Sequence, residues 1–205
     1  MHLTYMNLTD DGEVLVIDDI PDLGELTSIY LRKHNIDVTY KQNPREAIST
    51  YNLDQKDPQV ECVVCDYDMP QMNGLDVLDV IRSENPNLPF ILYTGKGSEE
   101  IASEAISMGV TDYIQKNTGE DHYDVLANRV TNSIQSYNAQ KVQNRSIEKN
   151  TIRKIRSICE TGDSIRTIKR DILQFGRDYL NMPAGFVSNI SNAEITINSS
   201  QGLTD

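Results

Sequence analysis

Val60-Glu61-Cys62-Val63-Val64-Cys65-Asp66 runs directly into Tyr67-Asp68-Met69-Pro70-Gln71-Met72-Asn73-Gly74. The first six residues form a short, valine-rich and nearly continuous apolar run, the pattern of a strand buried on both faces. The run stops at a carboxylate, passes a proline and a glycine, and gives way to a helical pattern over 74–84. The same unit recurs along the chain. Strands are predicted at Glu13–Asp18, Ile36–Lys41, Pro89–Tyr93 and Thr111–Gln115, and helices near 22–34, 43–54 and 98–108. Asn43-Pro44 and Ser98-Glu99-Glu100 carry the chemistry of helix starts, and Gly109 stands where a helix ends.

Five strands alternating with helices imply an α/β fold, a parallel sheet covered on both faces. Right-handed crossovers leave few arrangements. The flavodoxin-like, doubly wound order 2-1-3-4-5 is the expected one. At 205 residues the chain has room for one such domain of about 120 to 130 residues and a smaller appendage.

Composition removes several classes of function. The net charge of −12 argues against nonspecific DNA binding, which needs a basic face to displace counterions. No apolar run approaches the roughly 20 residues of a membrane span, and Met1 to Asp11 lack the pattern of a secretory signal. The chain reads as soluble and cytoplasmic. Cys62, Cys65 and Cys159 make no disulfide framework. Residues three apart in a strand point to opposite faces, so Cys62 and Cys65 read as small buried hydrophobes.

Beyond Asp121 there is no proline or glycine until Gly162. Forty helical residues would span roughly 60 Å. An apolar stripe at Leu126, Val130, Ile134 and Tyr137 is followed by a mostly polar stretch, then by Ile152, Ile155 and Ile158. Two readings stay open: one linker helix able to pair with a second copy, or two helices with a solvated break around 138–150. An amphipathic helix follows, apolar at Ile165, Ile168, Ile172, Phe175 and Tyr179. Two strand-like runs, Gly185–Ile190 and Glu194–Asn198, then suggest a hairpin. The expected divisions are a tail over 1–12, the α/β domain over 13–137, a helical linker over 138–160 and a small α+β segment over 161–205.

The chemistry gathers at strand ends. Asp18 and Asp19 close the first strand and Asp66 the third. In a parallel sheet of order 2-1-3 these strands are neighbours, and their carboxyl ends meet at the rim where such folds bind ligands. Three carboxylates crowded together require a neutralising cation. Oxygen donors beside water and phosphate suit Mg²⁺. Thr94 follows the fourth strand and Lys116 the fifth. A carboxylate nucleophile, a divalent cation, a hydroxyl and an ammonium are the components of phosphoryl transfer to aspartate.

Over residues 13 to about 137 the chain resembles the response-regulator receiver family of two-component signalling. The matching stretches are Val14-Leu15-Val16-Ile17-Asp18-Asp19, Leu92-Tyr93-Thr94-Gly95, and Gly109-Val110-Thr111-Asp112-Tyr113-Ile114-Gln115-Lys116. Asp66 to Gly74 fits the family's D-x-x-M-P-x-M-x-G signature throughout. The resemblance implies that Asp66 is the phosphoacceptor and that Asp19 ligates Mg²⁺ directly. Asp18 would help through water and Asp68 would supply its backbone carbonyl. It implies that Thr94 and Lys116 meet the phosphoryl oxygens, and that Tyr113 is the aromatic that turns inward on phosphorylation. The face of helix four, strand five and helix five would transmit the change. Asn117 departs from the proline usual after the lysine, often joined by a cis peptide, so the loop that places Lys116 differs from the family's pattern. Asp68 and Lys96 hold the rate-tuning positions, and an ion pair between them is expected to slow hydrolysis.

Other features read as bland. Asp10-Asp11 precedes the strand and is surface charge. Gly95-Lys96-Gly97-Ser98 lacks the earlier glycine of a P-loop, with Phe90 in its place. His2, His34 and His122 are scattered and read as surface. The expected function is a phosphorylation switch, not a classical enzyme, that catalyses its own phosphorylation and dephosphorylation. Its phosphodonor is a sensor histidine kinase. Its target is a downstream protein or a C-terminal output domain, with no DNA or membrane contact expected and homodimerisation through the linker helix left open. Residues 161–205 weakly resemble the opening of a GAF domain. The alternative is a ligand-sensing module carrying a vestigial receiver.

Overall fold

The computed structural model describes residues 13–50, 60–95, 98–117, 119, 121–161, 164–180, 186–191 and 194–198. The chain divides into two compact units, 1–141 and 142–205.

The first unit is built on five parallel strands in the order β2-β1-β3-β4-β5. They are β1 (Glu13–Ile17), β2 (Val38–Lys41), β3 (Val60–Cys65), β4 (Phe90–Thr94) and β5 (Asp112–Gln115). The helices between them are α1 (Pro21–Lys33), α2 (Pro44–Thr50), α3 (Gly74–Glu84) and α4 (Glu99–Ser107). Helix α2 is described as far as Thr50, and the rest of its predicted span, 51–54, lies outside the described residues.

Strand alternation splits the apolar residues into two cores. Leu15, Ile17, Val63, Cys65, Phe90 and Leu92 pack with Leu75, Leu78 and Ile81 of α3 and with Ala105 of α4. Val14, Val16, Cys62, Val64, Ile91 and Tyr93 pack on the other face with Leu31 of α1. Leu126, Val130 and Ile134 of α5 (Asp121–Thr161) close that face. Cys62 and Cys65 thus fall on opposite faces, as strand geometry requires.

Local signals act as read. Asn43 Oδ1 accepts from the Arg45 and Glu46 amides at 2.9 and 3.3 Å, and Ser98 Oγ accepts from Ile101 at 3.2 Å. Gly109 has φ +80, the left-handed turn that glycine adopts without strain. The Gly109 carbonyl accepts two bonds from the Arg82 guanidinium, 3.0 and 2.8 Å long, which fasten α3 to the turn before β5.

Helix α5 is continuous from Asp121 to Thr161, which excludes a break around 138–150. No proline or glycine interrupts it, so the backbone hydrogen-bond ladder runs on through the polar middle. Two bonds tie it to the first unit near residue 138. Asn85 Nδ2 donates to Tyr137 Oη at 3.2 Å, and Asn138 Nδ2 donates to Glu61 Oε1 at 3.1 Å. Glu61 is a bulge residue: β1 pairs Glu13 with Val60 and then Val14 with Cys62.

In the second unit α6 (Ile165–Leu180) follows α5. Strands β6 (Phe186–Ser191) and β7 (Glu194–Asn198) form an antiparallel pair. Ile172 is its buried apolar residue among those described. Among the described residues no helix is long and apolar enough to cross a membrane.

Candidate functional site at the carboxyl rim of the sheet

Three strand ends bring acids and an ammonium together. Lys116, just past β5, donates from Nζ to Asp18 Oδ2 at 2.7 Å and to Asp66 Oδ1 at 2.8 Å. Asp18 and Asp66 are buried, and the lysine side chain is 15% exposed. The sequence demanded a cation among these carboxylates. The structure finds one within the chain: the Lys116 ammonium. Among the described residues no peptide bond is cis, so the Lys116–Asn117 bond is trans, and the lysine reaches both acids without the usual proline. The Lys116 amide also donates to the Thr94 carbonyl at 2.8 Å, which locks the lysine beside β4.

Each acid is oriented by the main chain. Asp18 Oδ1 accepts from the Ile20 amide at 3.0 Å, and Asp66 Oδ2 accepts from the Asp68 amide at 2.9 Å. Burial pushes the Asp18 carboxyl above its usual range. Lys116 opposes that shift, and the Asp66 charge reinforces it. Burial pulls the Lys116 ammonium down, but its bonds to Asp18 and Asp66 outweigh that and hold it above its ordinary value.

Asp19 is different. Its Oδ1 is buried and has no hydrogen-bond partner among the described residues. A buried carboxylate oxygen left so is costly unless a cation or donor meets it. Among the described residues no group of three His, Cys, Asp or Glu is gathered tightly enough to hold a metal by itself. Mg²⁺ does not require one, since it takes one or two carboxylates and fills the rest with water, carbonyl and phosphate oxygens. The donor set therefore fits Mg²⁺. Asp19 would offer it a buried oxygen that no hydrogen bond among the described residues occupies.

The supporting contacts were not legible beforehand. Tyr40 Oη donates to the Asp18 carbonyl at 2.9 Å and Gln42 Nε2 to the Asp19 carbonyl at 3.0 Å, so β2 and the residue after it fix the acidic loop. A Cβ at Gly24 would stand 2.2 Å from the Tyr40 ring, which is why α1 carries glycine there. The loop after Asp66 is held by Met69, 7% exposed, and by Met72, packed on the same core. Between them Gln71 is left-handed at φ 72, a conformation rare for a residue with a side chain. Asn73 and Asp76 then form a capping box that starts α3.

Thr94 is fully buried at the end of β4. Tyr113 is half-buried, with its ring against the α3–α4 core and its hydroxyl buried without a hydrogen-bond partner among the described residues. Asp68 is exposed at the rim. Lys96, its expected partner, lies outside the described residues, as do His2 and Asp10-Asp11. His34 is exposed and meets Asp124 at 3.0 Å. His122, expected at the surface, is half-buried. Its ring packs between Tyr93 and Tyr123, with centroids 6.1 and 3.9 Å away, and its Nδ1 is buried. A lone histidine in a polar helix start gives no periodic signal for such a stack.

Known proteins agree with this architecture. Residues 14–128 match the response regulator receiver domain family. The probable transcriptional regulatory protein TcrX of Mycobacterium tuberculosis is 39% identical over 109 residues, 52% of this chain and 45% of that protein. The response regulator SaeR of Staphylococcus aureus is 26% identical over 139 residues, 68% of this chain and 59% of that protein. The chain thus spans about half the length of these curated relatives. A receiver domain protein from Clostridium thermocellum shares the fold at TM-score 0.56 and 22% identity, covering 63% of this chain and 98% of its own. The receiver domain of a Francisella response regulator aligns at TM-score 0.52 and 27% identity, covering 61% and 98%. The GAF-like reading of 161–205 gains no support from these similarities and is not carried further. The family match takes in more than half of the residues and includes all five rim positions, and on that ground the chain belongs to the response regulator receiver family of two-component signalling.

Proposed function

We propose that Asp66 accepts a phosphoryl group from the phosphohistidine of a sensor kinase. The observation that carries this reading is the pair of hydrogen bonds from Lys116 to Asp18 and Asp66, beside an Asp19 oxygen that has no partner among the described residues. In the step, an Asp66 oxygen forms a bond to phosphorus as the phosphorus–nitrogen bond of the donor breaks. The electron pair stays on the departing imidazole, which takes a proton from solvent. The Asp68 amide orients the attacking carboxylate through Oδ2. Lys116 is already on Oδ1 and needs only to shift to meet a phosphoryl oxygen. The Thr94 hydroxyl, fixed at the end of β4, accompanies that oxygen, and Tyr113 senses its movement.

Asp19, Asp66 and the Asp68 carbonyl would hold Mg²⁺, with Asp18 helping through water. When bound, the ion neutralises charge on the transferring group. The chain is thus a switch whose phosphorylation alters the face of α4, β5 and α5. Its output falls to a downstream protein or an appended domain, with α5 as the carrier. Pairing of two copies through that helix remains part of this proposal.

Incubating the chain with Mg²⁺ and acetyl phosphate, then mapping the label by mass spectrometry, tests the reading. The label is expected on Asp66 and absent from Asp66→Asn. Failure of the wild-type chain to take label would favour a vestigial receiver. Size measured before and after reports the oligomeric change.

A further inference from the structure

Lys116 has a neighbour besides its two acids. Its Nζ lies over the ring of Tyr93, 5.4 Å from the centroid. A cation within about 6 Å of an aromatic face is attracted by the ring's quadrupole, and more strongly where water is excluded. Tyr93 is 2% exposed, on a strand inside the sheet, so its ring is a fixed surface. Its hydroxyl has no hydrogen-bond partner among the described residues, which leaves the ring as the part that serves the lysine.

The ring is itself braced. His122 stacks on Tyr93 with an interplanar angle of 27° and packs on Tyr123. Tyr123 stacks on Tyr30 of α1 at 4.3 Å and 7°, and Lys33 caps that ring at 4.1 Å. Four rings from β4, α5 and α1 form a row with an ammonium at each end. The bond between His34 and Asp124 fastens the same two helices.

We propose that Tyr93 and His122 are positioning residues for Lys116, holding its ammonium where it meets both Asp66 and an incoming phosphoryl group. The proposal rests on the reading of Lys116 given above. It assigns the lysine's aim to an aromatic row that reaches α1 and α5.

Two measurements on the full chain test it. In single-turnover labelling by acetyl phosphate with Mg²⁺, Tyr93→Phe and His122→Phe should stay within about twofold of wild type, while Tyr93→Leu should slow by about tenfold. In the NMR spectrum, the Lys116 ε-methylene protons should be shifted upfield by the ring, assigned by their loss in Lys116→Arg. That shift should survive in Tyr93→Phe and vanish in Tyr93→Leu. A Tyr93→Leu protein that labels at the wild-type rate, or a Tyr93→Phe protein as slow as Tyr93→Leu, overturns the proposal. If Tyr93→Leu does not fold, His122→Ala takes its place, with slowed labelling and a reduced upfield shift expected, and no change in either overturning it. If wild type takes no label, the phosphoacceptor reading has failed, and the lysine resonance alone decides the positioning role.

Discussion

Gly74 stands so close to Asp66 that a Cβ on it would lie 2.5 Å from the Asp66 carbonyl oxygen. The same Cβ would meet Leu92 Cδ1 at 2.6 Å. The first turn of α3 therefore presses on the main chain of the expected phosphoacceptor. Gly74→Ala should destabilise the protein by about 1–3 kcal/mol through overpacking. It should also slow labelling of Asp66, because the clash is relieved by moving that residue. Urea titration and the acetyl phosphate assay check both, and an unchanged midpoint would contradict the contact.

Removal of the metal has a definite expected outcome. If Mg²⁺ binds the folded chain alone, an ion concentration about one hundred times Kd should stabilise it by about 2.7 kcal/mol. The melting temperature should rise with Mg²⁺ and return on adding EDTA. Asp19→Asn should abolish that response, because no hydrogen bond among the described residues occupies the buried Asp19 Oδ1. A full Mg²⁺ response in Asp19→Asn would place the ion elsewhere.

Cysteine reactivity should separate sharply. Cys62 and Cys65 are buried and Cys159 is exposed. Burial pushes both buried thiols up, reinforced by the Glu61 charge at Cys62 and by the Asp66 charge at Cys65. Iodoacetamide at mildly alkaline pH should modify Cys159 on the native chain and reach the other two only in denaturant. Peptide mapping reads the result, and rapid native labelling of Cys65 would mean that the sheet opens readily.

Tyr137 should contribute to alkaline sensitivity. Burial raises its phenol above the ordinary 10.0, the Asn85 bond opposes this, and the Glu61 charge adds to it. The folded chain keeps that proton at a pH where the unfolded chain has lost it. Its contribution is therefore fully present below pH 10.0 and is lost as pH rises from there through the folded value. Tyr137→Phe should show a shallower loss of stability above pH 10. Chemical denaturation at several pH values measures the slope, and identical slopes would count against the shift.

Much of the rim was legible because its residues sit at strand ends, where the change from apolar run to acid marks the place. Asp18, Asp19, Asp66, Thr94 and Lys116 needed only the strand order to be brought together. What escaped was whatever depends on side-chain direction. Nothing in the spacing of Lys116 says that it bridges Asp18 and Asp66, or that Tyr93 lies beneath it. Glu61 as a bulge was hidden because one extra residue leaves an apolar run looking regular. The stacking of His122 has no sequence signal because it follows from where α5 meets β4 and α1, not from any repeat in the sequence. The unbroken α5 could not be decided beforehand, since a polar stretch without proline or glycine is compatible with either outcome.

Gln71 adds a constraint of another kind. Its left-handed backbone, pinned between Met69 and Met72, costs about 1–2 kcal/mol for a residue with a side chain. Glycine, asparagine or aspartate would carry that geometry cheaply, whereas valine, isoleucine or threonine would pry the loop off its two methionine footings. The position therefore sorts substitutions by backbone shape rather than by chemistry. An outward-facing position that touches no reacting atom can still narrow the paths by which this loop changes.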